Sequence, residues 1–172
     1  MKYKLTDNKK EIEGLTLYQI QALKDFGSVK KGDLGGWIER ENNLSQEGDA
    51  WVYGNAWVSG DAWVSGNSRV YDNARVYDNA RVYDNAWVSG DAWVSGNTRV
   101  SGDAWVSGNT RVYDNARVSG DAWVSGDAWV SGNLKLTKGY FFGYKETDEE
   151  LSFIPLNDGY QLIAKGDVKF TN

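Results

Sequence analysis

The sequence predicts an all-β fold in which one parallel strand forms each side of a triangular coil, coils stack on coils, and a cap closes each end. Three observations carry that reading. Residues 50–133 are fourteen hexads without a break, written in two phrases, Asp-Ala-Trp-Val-Ser-Gly and Asn-Ala-Arg-Val-Tyr-Asp. Aligned on the small residue at 50, 56, 62 and onward to 128, the third position is valine in every hexad, from Val52 to Val130. The fifth and sixth positions are Gly or Asp followed by Asn or Asp, residues that accept tight corners and positive φ. A repeat of this regularity decides architecture ahead of local propensity.

Residues 1–31 are expected to form an N-terminal cap. Lys2–Thr6 and Glu11–Leu17 flank Asp7-Asn8-Lys9-Lys10, a polar segment suited to a hairpin turn. Thr16-Leu17-Tyr18-Gln19 fits a helix capping box, with Leu17, Ile20 and Leu23 at helical spacing before Gly27. Tyr18, Ile20 and Ala22 fit strand alternation equally well, so residues 16–26 stay open between helix and strand. Either form offers apolar side chains to cover the first rung, whose edge would otherwise be bare. Residues 32–49 form an irregular lead-in coil. Leu34 stands three hexads before Val52 and is expected inside, while Arg40 and Gln46 at would-be core positions mark the irregularity.

Residues 50–139 are the solenoid. Strand alternation sends the first and third positions inward and the second and fourth outward. The inward pair is Val with Ala, replaced by Ser68, Thr98 and Thr110. Small side chains suit a narrow interior, which larger ones at every rung would overpack. Three six-residue sides close a coil of eighteen, so the hexads fill between four and five coils, about 22 Å at ordinary strand spacing. Residues 140–172 are expected to be a C-terminal β cap with runs Tyr140–Lys145, Leu151–Leu156 and Tyr160–Phe170. Pro155 places its run at an edge or interrupts it.

The small-x-Val-x-Gly-Asn/Asp hexads resemble the hexapeptide-repeat, left-handed β-helix superfamily over about half of the chain. The left hand is what the resemblance implies, since the general crossover rule favours the right. Gly32-Asp33-Leu34-Gly35-Gly36-Trp37-Ile38-Glu39, Asn43-Leu44-Ser45-Gln46-Glu47-Gly48 and the Tyr-Asp-Asn-Ala-Arg-Val hexads resemble a narrower set of phage and prophage proteins. Enzymes of the superfamily are acyltransferases with a histidine base and carbonic anhydrases with three zinc-binding histidines. This chain has no histidine and no cysteine. The expectation is therefore no enzyme, no catalytic residue, no cofactor and no metal site. The Asp/Asn column at position six reads as a corner amide ladder, because the calcium-binding nonapeptide pattern is absent.

What varies lies outside, at positions two and four. Position two is Trp or Arg and position four is Ser or Tyr, and Trp usually travels with Ser and Gly, Arg with Tyr and Asp. Stacked at an interval of eighteen, position two forms three columns. They are Trp51, Arg69, Trp87, Trp105, Trp123; then Trp57, Arg75, Trp93, Arg111, Trp129; then Trp63, Arg81, Arg99, Arg117, Lys135. Arg69, Arg75 and Arg111 each fall between two tryptophans, close enough for guanidinium-on-indole stacking. The candidate interaction surface is Trp51, Trp57, Trp63, Arg69, Arg75, Arg81, Trp87, Trp93, Trp105, Arg111, Trp123 and Trp129. Such ladders could serve stability alone. Large exposed aromatic patches rich in Trp, Tyr and Arg also mark interfaces.

The leading expectation is a non-catalytic binding protein of phage or prophage type that uses these columns to hold a host protein or to self-associate as a dimer or trimer. One alternative is a nucleotide-like small molecule held at subunit clefts by stacking and charge pairing. Another is a structural spacer. A net charge of −5 disfavours nucleic acid, which calls for a cationic footprint. Met1-Lys2-Tyr3-Lys4-Leu5-Thr6-Asp7 lacks an apolar core of signal-peptide length, and no run reaches membrane-spanning length. The sequence predicts a soluble cytoplasmic protein without membrane association.

Overall fold

Each hexad supplies a two-residue strand, position two and the valine, and then turns a corner, except that Arg117–Val124 runs as one strand of eight residues. A computed structural model describes residues 1–141 and the backbone of residues 151–156 and 159–164. The strands run from Trp51–Val52 to Trp129–Val130 and pair in parallel at an interval of eighteen, as in Trp51 with Arg69, Trp57 with Arg75 and Trp63 with Arg81. The pairing repeats from coil to coil. The Trp57 N–H donates to the Ala74 carbonyl and the Ser59 N–H to the Val76 carbonyl, both at 3.0 Å. Every alanine and valine of the hexads is buried in one continuous core.

The three hydroxyl residues at inward positions are buried with them. The Ser68 hydroxyl donates 2.7 Å to the Ser65 carbonyl, and the Thr110 hydroxyl bonds the Ser107 carbonyl in the same way. The Thr98 hydroxyl finds no partner.

The fold is an all-β parallel solenoid of about six turns. That exceeds the four to five coils of the hexads, because residues on both sides join the stack. Ile38 pairs with Val58 and Leu44 with Val64, which makes the lead-in coil two residues longer than the rest. Leu34 is consequently out of register and 54% exposed, contrary to expectation, and Ile38 fills the interior instead. Arg40 turns outward and pairs with Asp61 at 2.9 Å. At the other end, the strand Lys135–Phe141 pairs Leu136 with Val118 at the regular interval, then shifts register so that Phe141 pairs with Val124, one residue short of it.

The N-terminal residues are two antiparallel strands, β1 (Tyr3–Ile12) and β2 (Leu15–Ala22). Residues 16–22 are thus strand, and the turn falls at Glu13-Gly14, where both φ values are positive. The expected turn at Asp7–Lys10 is instead an irregularity within β1. Strand β2 pairs with β3 (Leu34–Ile38), which pairs with Trp57–Val58, so the hairpin continues the sheet beyond the first rung. Gln46 completes the seal. Its side-chain oxygen accepts the Lys2 and Tyr3 N–H groups and its NH2 donates to the Tyr3 carbonyl, imitating a strand neighbour.

Leu151–Leu156 and Gly159–Ala164 form an antiparallel pair with Pro155 opposite Tyr160. In a two-stranded sheet both strands are edges, which is where proline is tolerated. Residues 142–145 of the first expected C-terminal run, and those after Ala164 in the last, lie outside the described residues. No helix among the described residues is long and apolar enough to cross a membrane.

Candidate functional site

The second face alternates strictly. Its position-two column is Trp57, Arg75, Trp93, Arg111, Trp129, and its position-four column runs Ser59, Tyr77, Ser95, Tyr113 beside it. The guanidinium of Arg75 lies 5.7 Å from the Trp57 ring and 4.7 Å from Trp93. That of Arg111 lies 4.9 Å from Trp93 and 4.7 Å from Trp129. Each guanidinium is sandwiched by its faces, which leaves the N–H groups at its edge to point away from the indoles.

The two arginines differ in charge balance. Arg75 is met by Glu13 at 3.3 Å from the tip of the β1–β2 hairpin. Arg111 is exposed and, among the described residues, has no carboxylate within ion-pair distance. Beside it the small Ser95 lies between Tyr77 and Tyr113, whose strands are two rungs or about 9–10 Å apart. The result is a groove of about 320 Å³ lined by Tyr77, Trp93, Ser95, Arg111, Tyr113 and Trp129. A planar ring can enter between the two phenols while the Arg111 edge meets an anion.

On the first face an aromatic stack runs along the solenoid. Tyr53 and Tyr71 are stacked at 4.5 Å, Trp87 and Trp105 at 4.8 Å with planes 10° apart, and Trp123 continues the series 5.0 Å from Trp105. Trp105 is 38% exposed, while Trp87 and Trp123 are half-buried. On the third face Trp63 is 41% exposed and Arg81 is exposed above it.

Two residues of the expected surface are not on it. Trp51 is 1% exposed because Tyr3 and Phe26 close on it edge-on at 6.0 and 5.3 Å. Gly35 makes that fit possible, since a Cβ there would lie 2.6 Å from the Trp51 ring. Trp57 is 5% exposed beneath Tyr77 and Arg75. With Trp51 turned into the cap, Arg69 stacks on one indole, Trp87 at 5.1 Å, rather than two. Sequence reasoning passed over Tyr77, Ser95 and Tyr113. Their signal was present as the Tyr/Ser alternation at the same eighteen-residue interval.

Stacked hexads, valine interior and outward ladders define a β-solenoid repeat protein. The family model described as the YdcK β-solenoid repeat matches residues 50–67, 68–83, 74–90, 80–96 and 110–126. Over 60 residues, 30% of this chain, the sequence is 38% identical to the protein of Escherichia coli (strain K12) named "Uncharacterized acetyltransferase YdcK". That match covers 18% of the relative's length. The finding corrects the expectation that the chain is not an enzyme, which rested on the absence of histidine. A relative matched over part of the chain carries an acetyltransferase name, so one missing residue type does not settle the matter.

Proposed function

We propose that this chain is a ligand-binding β-solenoid whose second face holds a planar, anionic small molecule of the nucleotide kind. The observation that carries the reading is the notch above Ser95. Tyr77 and Tyr113 line the groove on either side of it with Trp93 and Trp129, next to a guanidinium that has no carboxylate partner among the described residues. Base stacking and a charge-assisted hydrogen bond to phosphate are the two interactions such a site offers. The relative's name makes acetyl-coenzyme A, a nucleotide-bearing acetyl donor, the first ligand to test. The resemblance of the lead-in and the Tyr-Asp-Asn-Ala-Arg-Val hexads to phage and prophage proteins makes signalling nucleotides of a host the second set.

The test is a tryptophan-fluorescence titration of wild type, Arg111→Gln and Ser95→Tyr with acetyl-coenzyme A, ADP and cyclic dinucleotides. Ser95→Tyr fills the notch with a side chain that neighbouring hexads already accept at position four. Saturable quenching in wild type, weakened about tenfold or more in both variants, is expected for a site built from one stacking slot and one charged hydrogen bond. No quenching with any of the ligands, or unchanged binding in both variants, overturns the proposal. Thiol release in the presence of amine acceptors then reports whether a bound acetyl donor is turned over.

A second reading is favoured by Trp105, the most exposed tryptophan of the first-face stack. A protein partner, or a second copy of the chain, would cover it. Light scattering on a sizing column distinguishes the second copy from a partner of another kind.

A further inference from the structure

The third face carries charge that nothing described in the chain answers. Arg81, Arg99, Arg117 and Lys135 occupy successive rungs of one column, and all four are exposed. The ion pairs among the described residues are Lys30 with Asp25, Arg40 with Asp61 and Arg75 with Glu13, none of them on this column. Nor does any of the four cations lie over a ring among the described residues, unlike Arg69, Arg75 and Arg111. Like charges directly opposite each other on neighbouring strands are destabilising. The second face avoids that penalty by placing an indole between its arginines, whereas the third repeats it at every step.

The stripe is one side chain wide. Exposed Asp78 and Asp114 stand at the corners before it, and exposed Asp84, Asp103 and Asp121 at the corners after it. A lipid surface or a nucleic-acid duplex laid on this face would meet both rows of carboxylates. A linear chain lying along the column meets the cations alone. The position-four residues beside Arg99 and Arg117 are Ser101 and Ser119, so bases would find no ring to stack on there. One cation per rung, at the spacing of adjacent strands, suits a polymer with one carboxylate per sugar ring. Each guanidinium can meet such a carboxylate with two parallel N–H donors.

We propose that the third face binds an acidic polysaccharide of the polyuronate type, laid parallel to the solenoid axis with its carboxylates against Arg81, Arg99, Arg117 and Lys135. The site is separate from the second-face groove, and either can stand without the other.

The experiment is calorimetric titration of the full chain with a defined oligogalacturonate, alongside inorganic polyphosphate and oligo-dT. An Arg99→Gln/Arg117→Gln double variant is compared with Lys4→Gln/Lys9→Gln, which changes net charge equally at exposed sites on β1. The expected result is saturable oligogalacturonate binding, weakened about tenfold or more by the third-face variant and hardly by the control. The third-face variant should also melt at a higher temperature than wild type, because a like-charge contact is gone. Absence of oligogalacturonate binding, equal weakening in both variants, or tighter binding of polyphosphate or oligo-dT overturns the proposal.

Discussion

The fifth residue of every hexad must adopt positive φ, and the chain meets that demand in two ways. Most hexads use glycine; Asp72, Asp78, Asp84 and Asp114 sit there at φ of 58–62°. An ordinary side chain in the left-handed region costs about 1–2 kcal/mol. These aspartates offset it by accepting the N–H of Gly90, Gly96, Gly102 and Gly132 in the next coil, at 3.0 to 3.3 Å. At position six the amides form polar ladders: Asn55 donates to Asn73 and Asn73 to Asp91, as Asn67 does to Asn85 and Asn85 to Asp103. A carboxylate can accept but not donate, so each ladder ends at its aspartate. The valines, corners and amide ladders were all legible as residue types at a fixed period. The fate of a single hydroxyl was not, since it depends on rotamer. Thr98 buries an oxygen without a partner where Ser68 and Thr110 bond backwards to a carbonyl. Thr98→Val keeps the shape and removes the orphan, and should raise stability by about 1–2 kcal/mol. Urea melts check this, and an unchanged or lower midpoint counts against it.

At the scale of elements, the N-terminal hairpin is held by Lys2 and Tyr3. The buried Lys2 ammonium donates 2.9 Å to the Ala50 carbonyl, and the Tyr3 hydroxyl lies 2.8 Å from the carbonyls of Glu41 and Leu44. Burial pushes the Lys2 pKa down from 10.5 to about 8, against the pull of Asp49 and with help from Lys24. Between those values the unfolded chain holds a proton that the folded chain has released, so this group favours folding increasingly as pH climbs through that window. Tyr3 works the other way. Burial raises its pKa well above the usual 10.0, so the stability it lends is complete below pH 10 and is lost above it. The stability difference between wild type and Lys2→Met, read from urea melts, should therefore move in favour of wild type from pH 8 to 10. A difference that stays flat contradicts the assignment. That the segment ahead of the repeat carries apolar side chains was legible. Its details were not, because the two extra residues of the lead-in coil break the count by six and carry Leu34 out of register. The turn at Glu13-Gly14 likewise lies beyond the more polar Asp7–Lys10 segment that propensity favours.

The whole molecule is one scaffold with three unlike faces: an aromatic stack, an alternating Arg/Trp ladder with a notch, and a basic stripe between acidic corners. Which residues share a column followed from the eighteen-residue interval. Which of them stay exposed did not: Trp51 is covered by Tyr3 and Phe26, which no repeat encodes, and Trp57 by the rotamers of Tyr77 and Arg75, which a repeat letter does not set. In the proposed function the ligand enters the second face beside Arg111. The most direct test is an NMR titration of the protein labelled at its tryptophan indoles, with acetyl-coenzyme A added and each Nε1–H signal assigned by single substitution. Saturable shifts are expected at Trp93 and Trp129, with Trp87, Trp105 and Trp123 unmoved. Shifts confined to the first face, or none at saturating ligand, would contradict the proposal.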